Sequence, residues 1–402
     1  MSAVPVAGRD TFASQVDALL KRATDAQDVP GVVAMATADN ATIYEGAFGT
    51  RRLGAAKPMA VDTVVWIASM TKPITSTAAM QLVEQGRLQL DEPAARWAPG
   101  LADAQVLEGF DAKGGPILRP PQQPITLRHL LTHTSGCGYG MWSPLLARYM
   151  ELRGIPGTAS CQNAALRLPL LFDPGGRWNY GINIEWVGKA IEGASGMSLG
   201  EYLRANLFDP LGMDSTGFRI TPAMRKRMSR VHERDAAGVL AAGDFEVPQD
   251  PEFEMGGGGL YSTAPDYLAF MRMILNRGSG NGNRMLKPET VELMSRNHMG
   301  DLHVTPLVTT NPSRSNDAEF FPGVPKGWSL GFMVNHETAP TGRSAGSLAW
   351  AGLSNCYFWI DPMRNMGGVC LTQILPFADV KALPLFLDFE TAVYQRAMNG
   401  DR

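Results

Sequence analysis

Cysteine is sparse in this chain. The four present, Cys137, Cys161, Cys356 and Cys370, lie far apart, with no C-x-x-C pair and no histidine ladder beside them. That spacing speaks against a metal site and gives no disulfide framework. Long apolar runs are lacking as well. Nothing approaches eighteen consecutive apolar residues, so no membrane-spanning helix and no membrane partner are expected. The start, MSAVPVAGRDTFASQVDALLKR, has no basic stretch followed by an apolar one, so no secretory signal is visible and a cytoplasmic location is the expectation. Charge of one sign is missing too. Lys and Arg total 36 against 39 Asp and Glu, for a formal net charge of −3. No run of five or more like charges occurs, so nothing marks a nucleic-acid partner or an interaction tail. A partner has to be argued from a site, and the oligomeric state is not encoded in any feature of this kind.

What is present describes a globular chain with a large core. Hydrophobic residues make up 45% and charged residues 19% of 402 positions, a length beyond one average domain. Phe12, Val16, Leu19 and Leu20 recur at helical spacing within residues 10–26. GVVAMATAD and ATIYEGAFG flank Asp39-Asn40 and read as a hairpin. SMTKPITSTAAMQLVEQG reads as a helix that closes on Gly86. Pro73 is tolerated only in a first helical turn, which fixes the helix start near Ser69. Residues 101–250 alternate helical stretches with Pro- and Gly-rich connections and show little strand pattern. Beyond 255, GWSLGFMVN, SLAWAGLSNCYFWID and MGGVCLTQIL supply three strand candidates, and residues 379–397 close with a helix. Strands at both ends and helices between predict an α/β unit of the α+β type from residues 1–100 and 251–402, with a largely helical unit from 101–250.

Ser69-Met70-Thr71-Lys72 is the segment that carries chemistry. A spacing of three at a helix start puts hydroxyl and amine on one face, within reach of a proton transfer. The tetrad follows the apolar run VVWIA, so Lys72 enters from a buried segment, and a desolvated lysine holds its proton less tightly. The helix N-terminus also aims free N–H groups at a developing anion. Tyr180, in GGRWNYGIN, is the candidate hydroxyl that shares the proton.

Other motifs fail on context. Gly342-Arg343-Ser344-Ala345-Gly346 matches the G-x-S-x-G nucleophile elbow, which requires a strand before, a helix after and a later histidine. Here Pro340-Thr341 precede, a strand follows, and the last histidine, His336, lies upstream, so this segment reads as a hairpin turn. His129 and His133 stand at i, i+4 with no third ligand and read as structural polar contacts. Gly256–Gly259 and Gly367-Gly368 lack the lysine and strand–turn–helix setting of a phosphate loop and read as close backbone packing. No cofactor is implied.

Taken in order, seven segments resemble one family: ASMTK at 68–72, LQLDEPAARWAPG at 88–100, ITLRHLLTHTSG at 125–136, WNYGIN at 178–183, LFDPLGMDSTGF at 207–218, GGGGLYSTAPDYLAFM at 256–271 and WAG at 350–352. The chain resembles the class C β-lactamase and penicillin-binding family, and within it the family VIII carboxylesterases. The resemblance implies an antiparallel sheet flanked by helices plus an all-helical domain, with the site between them. It implies Ser69 as the acylated nucleophile, Lys72 as its base and Tyr180 as the proton-sharing tyrosine. The family's Lys-Thr-Gly on an edge strand corresponds to Trp350-Ala351-Gly352. The oxyanion hole is then the N–H groups of Ser69 and Leu353, donors of a kind commonly worth ~3 kcal/mol each. The family's Tyr-x-Asn reads Tyr180-Gly181-Ile182, with asparagine displaced to 183. Ile182 and Trp350 make the pocket more apolar, which favours neutral esters over charged β-lactams.

The reading is therefore a serine carboxylesterase acting on small-molecule neutral esters of short to medium chain. Two alternatives use the same acyl-enzyme: an acyltransferase, and a penicillin-binding protein or weak β-lactamase. Segment 139–160 is expected to line the acyl or alcohol pocket, with Tyr139, Trp142, Ile182, Trp350 and Gly352 as substrate-contact candidates.

Overall fold

The computed structural model describes residues 7–398. Its centre is a seven-stranded antiparallel sheet assembled from both ends of the chain. The strands are β1 (Gly31–Ala38), β2 (Ala41–Gly49), β3 (Lys326–Trp328), β4 (Met333–Asn335), β5 (Leu348–Gly352), β6 (Cys356–Asp361) and β7 (Met366–Leu371). Their order across the sheet is β3-β4-β5-β6-β7-β1-β2. The hairpin expected at Asp39-Asn40 forms, and both residues take positive φ values of 47° and 65°, the backbone a tight two-residue turn requires.

The run CYFWID is apolar without alternation because both faces of β6 are covered. Tyr357 and Trp359 point to one face and meet Phe386 and Phe389 of the C-terminal helix. Phe358 points to the other and meets Tyr267. The helices involved are α1 (Ala7–Asp25), α2 (Thr71–Glu84), α3 (Asn183–Ser195), α4 (Ala264–Leu275) and α5 (Ala382–Met398). Helices α1 and α5 cover the first face, α4 the second. Gly368 is needed where Trp359 lies across β7, since a Cβ there would sit 2.2 Å from its ring. Close packing is thus the role of that glycine pair.

Helix α2 packs against α3 and is buried from Thr71 to Leu82. A helix covered all round needs its hydroxyls satisfied internally. Thr75 Oγ1 donates to the Gly256 carbonyl at 2.7 Å and Thr77 Oγ1 to the Pro73 carbonyl at 2.9 Å, whereas Ser76 Oγ between them is buried with no partner among the described residues.

The strand pattern is richer than the sequence predicts. The three C-terminal candidates divide into β3–β7 plus Ile374–Leu375. The break between β5 and β6 falls at Leu353-Ser354-Asn355, where Asn355 has φ 58°. The stretch 101–250 also holds a hairpin, Val106–Phe110 with Pro116–Arg119, and a pair, His232–Arg234 with Leu240–Ala242. The strand with Trp350 is third in the sheet rather than at its edge. Its neighbour β4 pairs only with Leu348 and Ala349, however, so Trp350–Gly352 have a bare side. Among the described residues no helix is long and apolar enough to cross a membrane.

Candidate active site

Residues 68–70 form a short 3₁₀ turn that leads into α2. Ala68 takes φ +44°, a left-handed conformation that costs an L-residue energy and is retained where the surroundings enforce it. The enforcing neighbour is β5. A Cβ on Gly352 would lie 2.2 Å from the Ile67 carbonyl oxygen, so only glycine lets the strand come this close. The contact holds the Ser69 corner beside Leu353, and both residues line one cavity. Neither backbone N–H is taken up by a turn or ladder partner.

Lys72 lies one helical turn beyond Ser69 and is buried. Its Nζ donates to Ser69 Oγ at 3.1 Å, to Tyr139 Oη at 3.2 Å and to the Gly257 carbonyl at 2.7 Å. Three acceptors match the three protons of an ammonium. Burial lowers Lys72 from the ordinary lysine range to about 7, against the opposing pull of Glu185. Such an amine both gives up and regains a proton near neutrality.

Tyr180 faces this amine, its ring 4.7 Å from Nζ. Burial raises its phenol above the ordinary tyrosine range, while hydrogen bonds with Ser69 and Trp350 oppose that rise. The Trp350 bond runs from Nε1–H to Tyr180 Oη at 2.9 Å. His133, Trp178, Trp328 and Trp350 pack round the Tyr180 ring and fix it.

The cavity measures about 490 Å³. Segment 139–160 supplies much of its wall, including Tyr139, Trp142, Ala147 and Met150. Trp142 is pinned by Nε1–H donation to Ser315 Oγ at 3.2 Å. Three of the residues expected at the substrate lie elsewhere. Ile182 is buried at the N-terminus of α3, and Trp350 and Gly352 sit behind the wall on β5, so none of them lines the cavity. Trp350 reaches the site through Tyr180, and Gly352 through the Ser69 corner. The displaced Asn183 also turns inward, where Ser135 Oγ–H donates to its Oδ1 at 2.5 Å and its amide meets His133 Nδ1 at 2.9 Å.

The structure adds residues that sequence reasoning did not pick out. Glu185, in the first turn of α3, is 2% exposed, lines the cavity and accepts the Gly257 N–H at 2.7 Å. A Cβ at Gly257 would lie 2.3 Å from Glu185 Oε1, so that glycine serves the approach of a carboxylate. Trp66 and Phe245 meet on one wall with centroids 4.6 Å apart and rings tilted by 45°. Arg314, over the Phe245 ring at 5.5 Å, is the one cation among the described lining residues. The signal for Glu185 was an acid inside the apolar face of a helix following WNYGIN.

His129 and His133 are structural. His129 Nδ1 accepts the Thr126 N–H in a capping box at 3.2 Å, and buried His133 is held by Asn183. Ser344 lies in the β4–β5 hairpin, where its N–H donates to Asp361 at 3.0 Å. The four cysteines are buried thiols.

A serine at a strained turn, a buried lysine on its hydroxyl and a tyrosine ring against that amine, beside a helix-flanked antiparallel sheet, define the serine acyltransferase and hydrolase class of β-lactamase-like enzymes. The chain belongs to the Beta-lactamase family, whose model matches residues 16–391. It is 34% identical to the ML-236A carboxylate methylbutanoyltransferase mlcH of Penicillium citrinum, covering 95% of this chain and 94% of that one. It is 32% identical to the lovastatin esterase of Penicillium rubens, over 95% and 98% of the two chains. The LovD6 mutant of simvastatin synthase from Aspergillus terreus superposes with a TM-score of 0.85 at 28% identity, covering both chains completely. The protein is an acyl-transferring enzyme, and the relatives weigh toward transfer over the plain hydrolysis expected from the sequence.

Proposed function

We propose that the protein is an acyltransferase that passes a short acyl group through Ser69 to the hydroxyl of a bulky organic acid, with hydrolysis as the competing outcome. The observation that carries this reading is the cavity at Ser69. At about 490 Å³, walled by Trp66, Tyr139, Trp142 and Phe245, it holds far more than an acyl chain and a water molecule. Arg314 on the same wall suits a carboxylate on the acceptor. The named relative with transferase activity acts on a carboxylate, in keeping with that cation.

In this reading Ser69 Oγ attacks the donor carbonyl as the Lys72 amine takes its proton. The N–H groups of Ser69 and Leu353 stabilise the oxyanion, and the leaving alkoxide regains a proton from the Lys72–Tyr180 pair. The acceptor hydroxyl then attacks the acyl-enzyme by the same steps in reverse. Ile182 and Trp350 act on substrate choice only indirectly, by shaping Tyr180 and its surroundings. The lovastatin esterase supports hydrolysis as the second reading.

The test is product partition. With an activated butyrate ester as donor and hydroxy acids as acceptors, the new ester should form at the expense of free butyrate, and Ser69→Ala should yield neither. Free butyrate alone at every acceptor concentration would reduce the protein to an esterase. Turnover surviving Ser69→Ala would remove Ser69 from the mechanism.

A further inference from the structure

Glu185 is a buried acid that the steps above leave without a task. It shares a closed cluster with the base. Lys72 donates to Tyr139 Oη at 3.2 Å, the Tyr139 hydroxyl acts on the Glu185 carboxylate, and the Gly257 peptide joins both ends. On that peptide the carbonyl takes Lys72 Nζ at 2.7 Å while the N–H goes to Glu185 at 2.7 Å. Two of the amine's three bonds thus go to Tyr139 and Gly257, and the third goes to Ser69 Oγ.

We infer that Glu185 is a positioning residue for acyl transfer, which fixes the Lys72 amine against Ser69 through Tyr139 and Gly257 and sets the pH at which that amine releases its proton. A carboxylate facing an ammonium in a buried site stabilises the charged amine, and the charged amine stabilises the carboxylate. Burial acts on each in the opposite sense, lowering Lys72 and raising Glu185, both to about 7. The other titratable groups facing the pair are Tyr139, Tyr180, Cys137, Cys161 and His133. Burial holds the phenols and thiols protonated and His133 neutral near pH 7, so none of these competes for the role. Arg314 lines the same cavity.

The sign follows from the chemistry. Ser69 is activated by the neutral amine, so acylation rises with pH as Lys72 loses its proton. Removing the carboxylate charge makes that loss easier. The inference rests on Lys72 being the base for Ser69, and the test keeps the two apart. The rate at which a serine-reactive phosphonate labels Ser69, mapped by peptide mass, is measured against pH in the intact protein. In Glu185→Gln the midpoint of the rise should move to lower pH by about one unit. In Glu185→Asp it should stay near the wild-type position. In Tyr139→Phe, which removes an acceptor of the Lys72 ammonium and a hydroxyl that favours the ionised carboxylate, it should move the same way by less. Tyr139→Phe also gives the answer if Glu185→Gln does not fold. Coincident midpoints in wild type, Glu185→Gln and Tyr139→Phe, with slower labelling only, would reduce Glu185 to a structural acid and overturn the inference. Labelling that persists in Ser69→Ala would overturn the underlying reading instead.

Discussion

Trp350→Phe isolates one hydrogen bond on Tyr180, the tyrosine proposed to share the proton. Trp350 is 5% exposed, and its Nε1–H donates to Tyr180 Oη at 2.9 Å with the two rings 4.9 Å apart. Phenylalanine keeps most of the ring contact and removes only the donor. A buried neutral hydrogen bond contributes about 1 kcal/mol net, and leaving its acceptor unsatisfied costs about 1–3 kcal/mol. The bond also eases the build-up of negative charge on the Tyr180 oxygen, so its loss weighs more on the transition state than on the resting enzyme. A loss of about 1–2 kcal/mol corresponds to a roughly 5- to 30-fold fall in kcat. Because Trp350 does not line the cavity, KM should stay where it is. Steady-state kinetics with a chromogenic ester, run well below the unfolding midpoint, read both quantities. A raised KM with kcat preserved would refute the reasoning, because it would put the Trp350 ring on the substrate.

Two further substitutions test the frame. In Gly352→Ala the added Cβ would lie 2.2 Å from the Ile67 carbonyl, so β5 must back away from the Ser69 corner. Misplacement by about 1 Å costs about 10²-fold, and phosphonate labelling of Ser69 should slow accordingly while circular dichroism keeps its wild-type shape. Arg343→Met breaks a buried pair, since the Arg343 guanidinium donates through Nε to Glu390 Oε1 at 2.8 Å and through a second N–H to Oε2. Stranding Glu390 should cost about 3–5 kcal/mol and lower the thermal midpoint. Activity per folded molecule should be unchanged, because no residue of this hairpin lines the cavity.

The parts of this protein most legible in its sequence are those with local causes. Pro73 located the start of α2, and Asp39-Asn40 located the first hairpin, because turn and helix chemistry act over a few residues. Ser344 was set aside correctly by its flanking proline and following strand. The break at Asn355 was hidden because LAWAG and CYFWID are both buried, so no change of polarity marks the turn. Trp350, Gly352 and Ile182 were picked out by their place in a motif, yet motif position does not say which way a side chain points. Glu185 and Arg314 depend on contacts between distant segments, such as Glu185 with Gly257, which no local pattern reports.

The pairing of β1 with β7 has a consequence for synthesis. Val33 lies opposite Leu371, so an inner strand of the sheet takes one neighbour from the beginning of the chain and the other from near its end. A ribosome adding ~5–20 residues per second leaves the first hairpin with an open edge for tens of seconds. An unpaired edge of buried-type residues is a template for the wrong neighbour. Over that interval the nascent chain depends on being shielded, and slow translation of the final quarter should lower the yield of soluble enzyme without changing the activity of the molecules that mature.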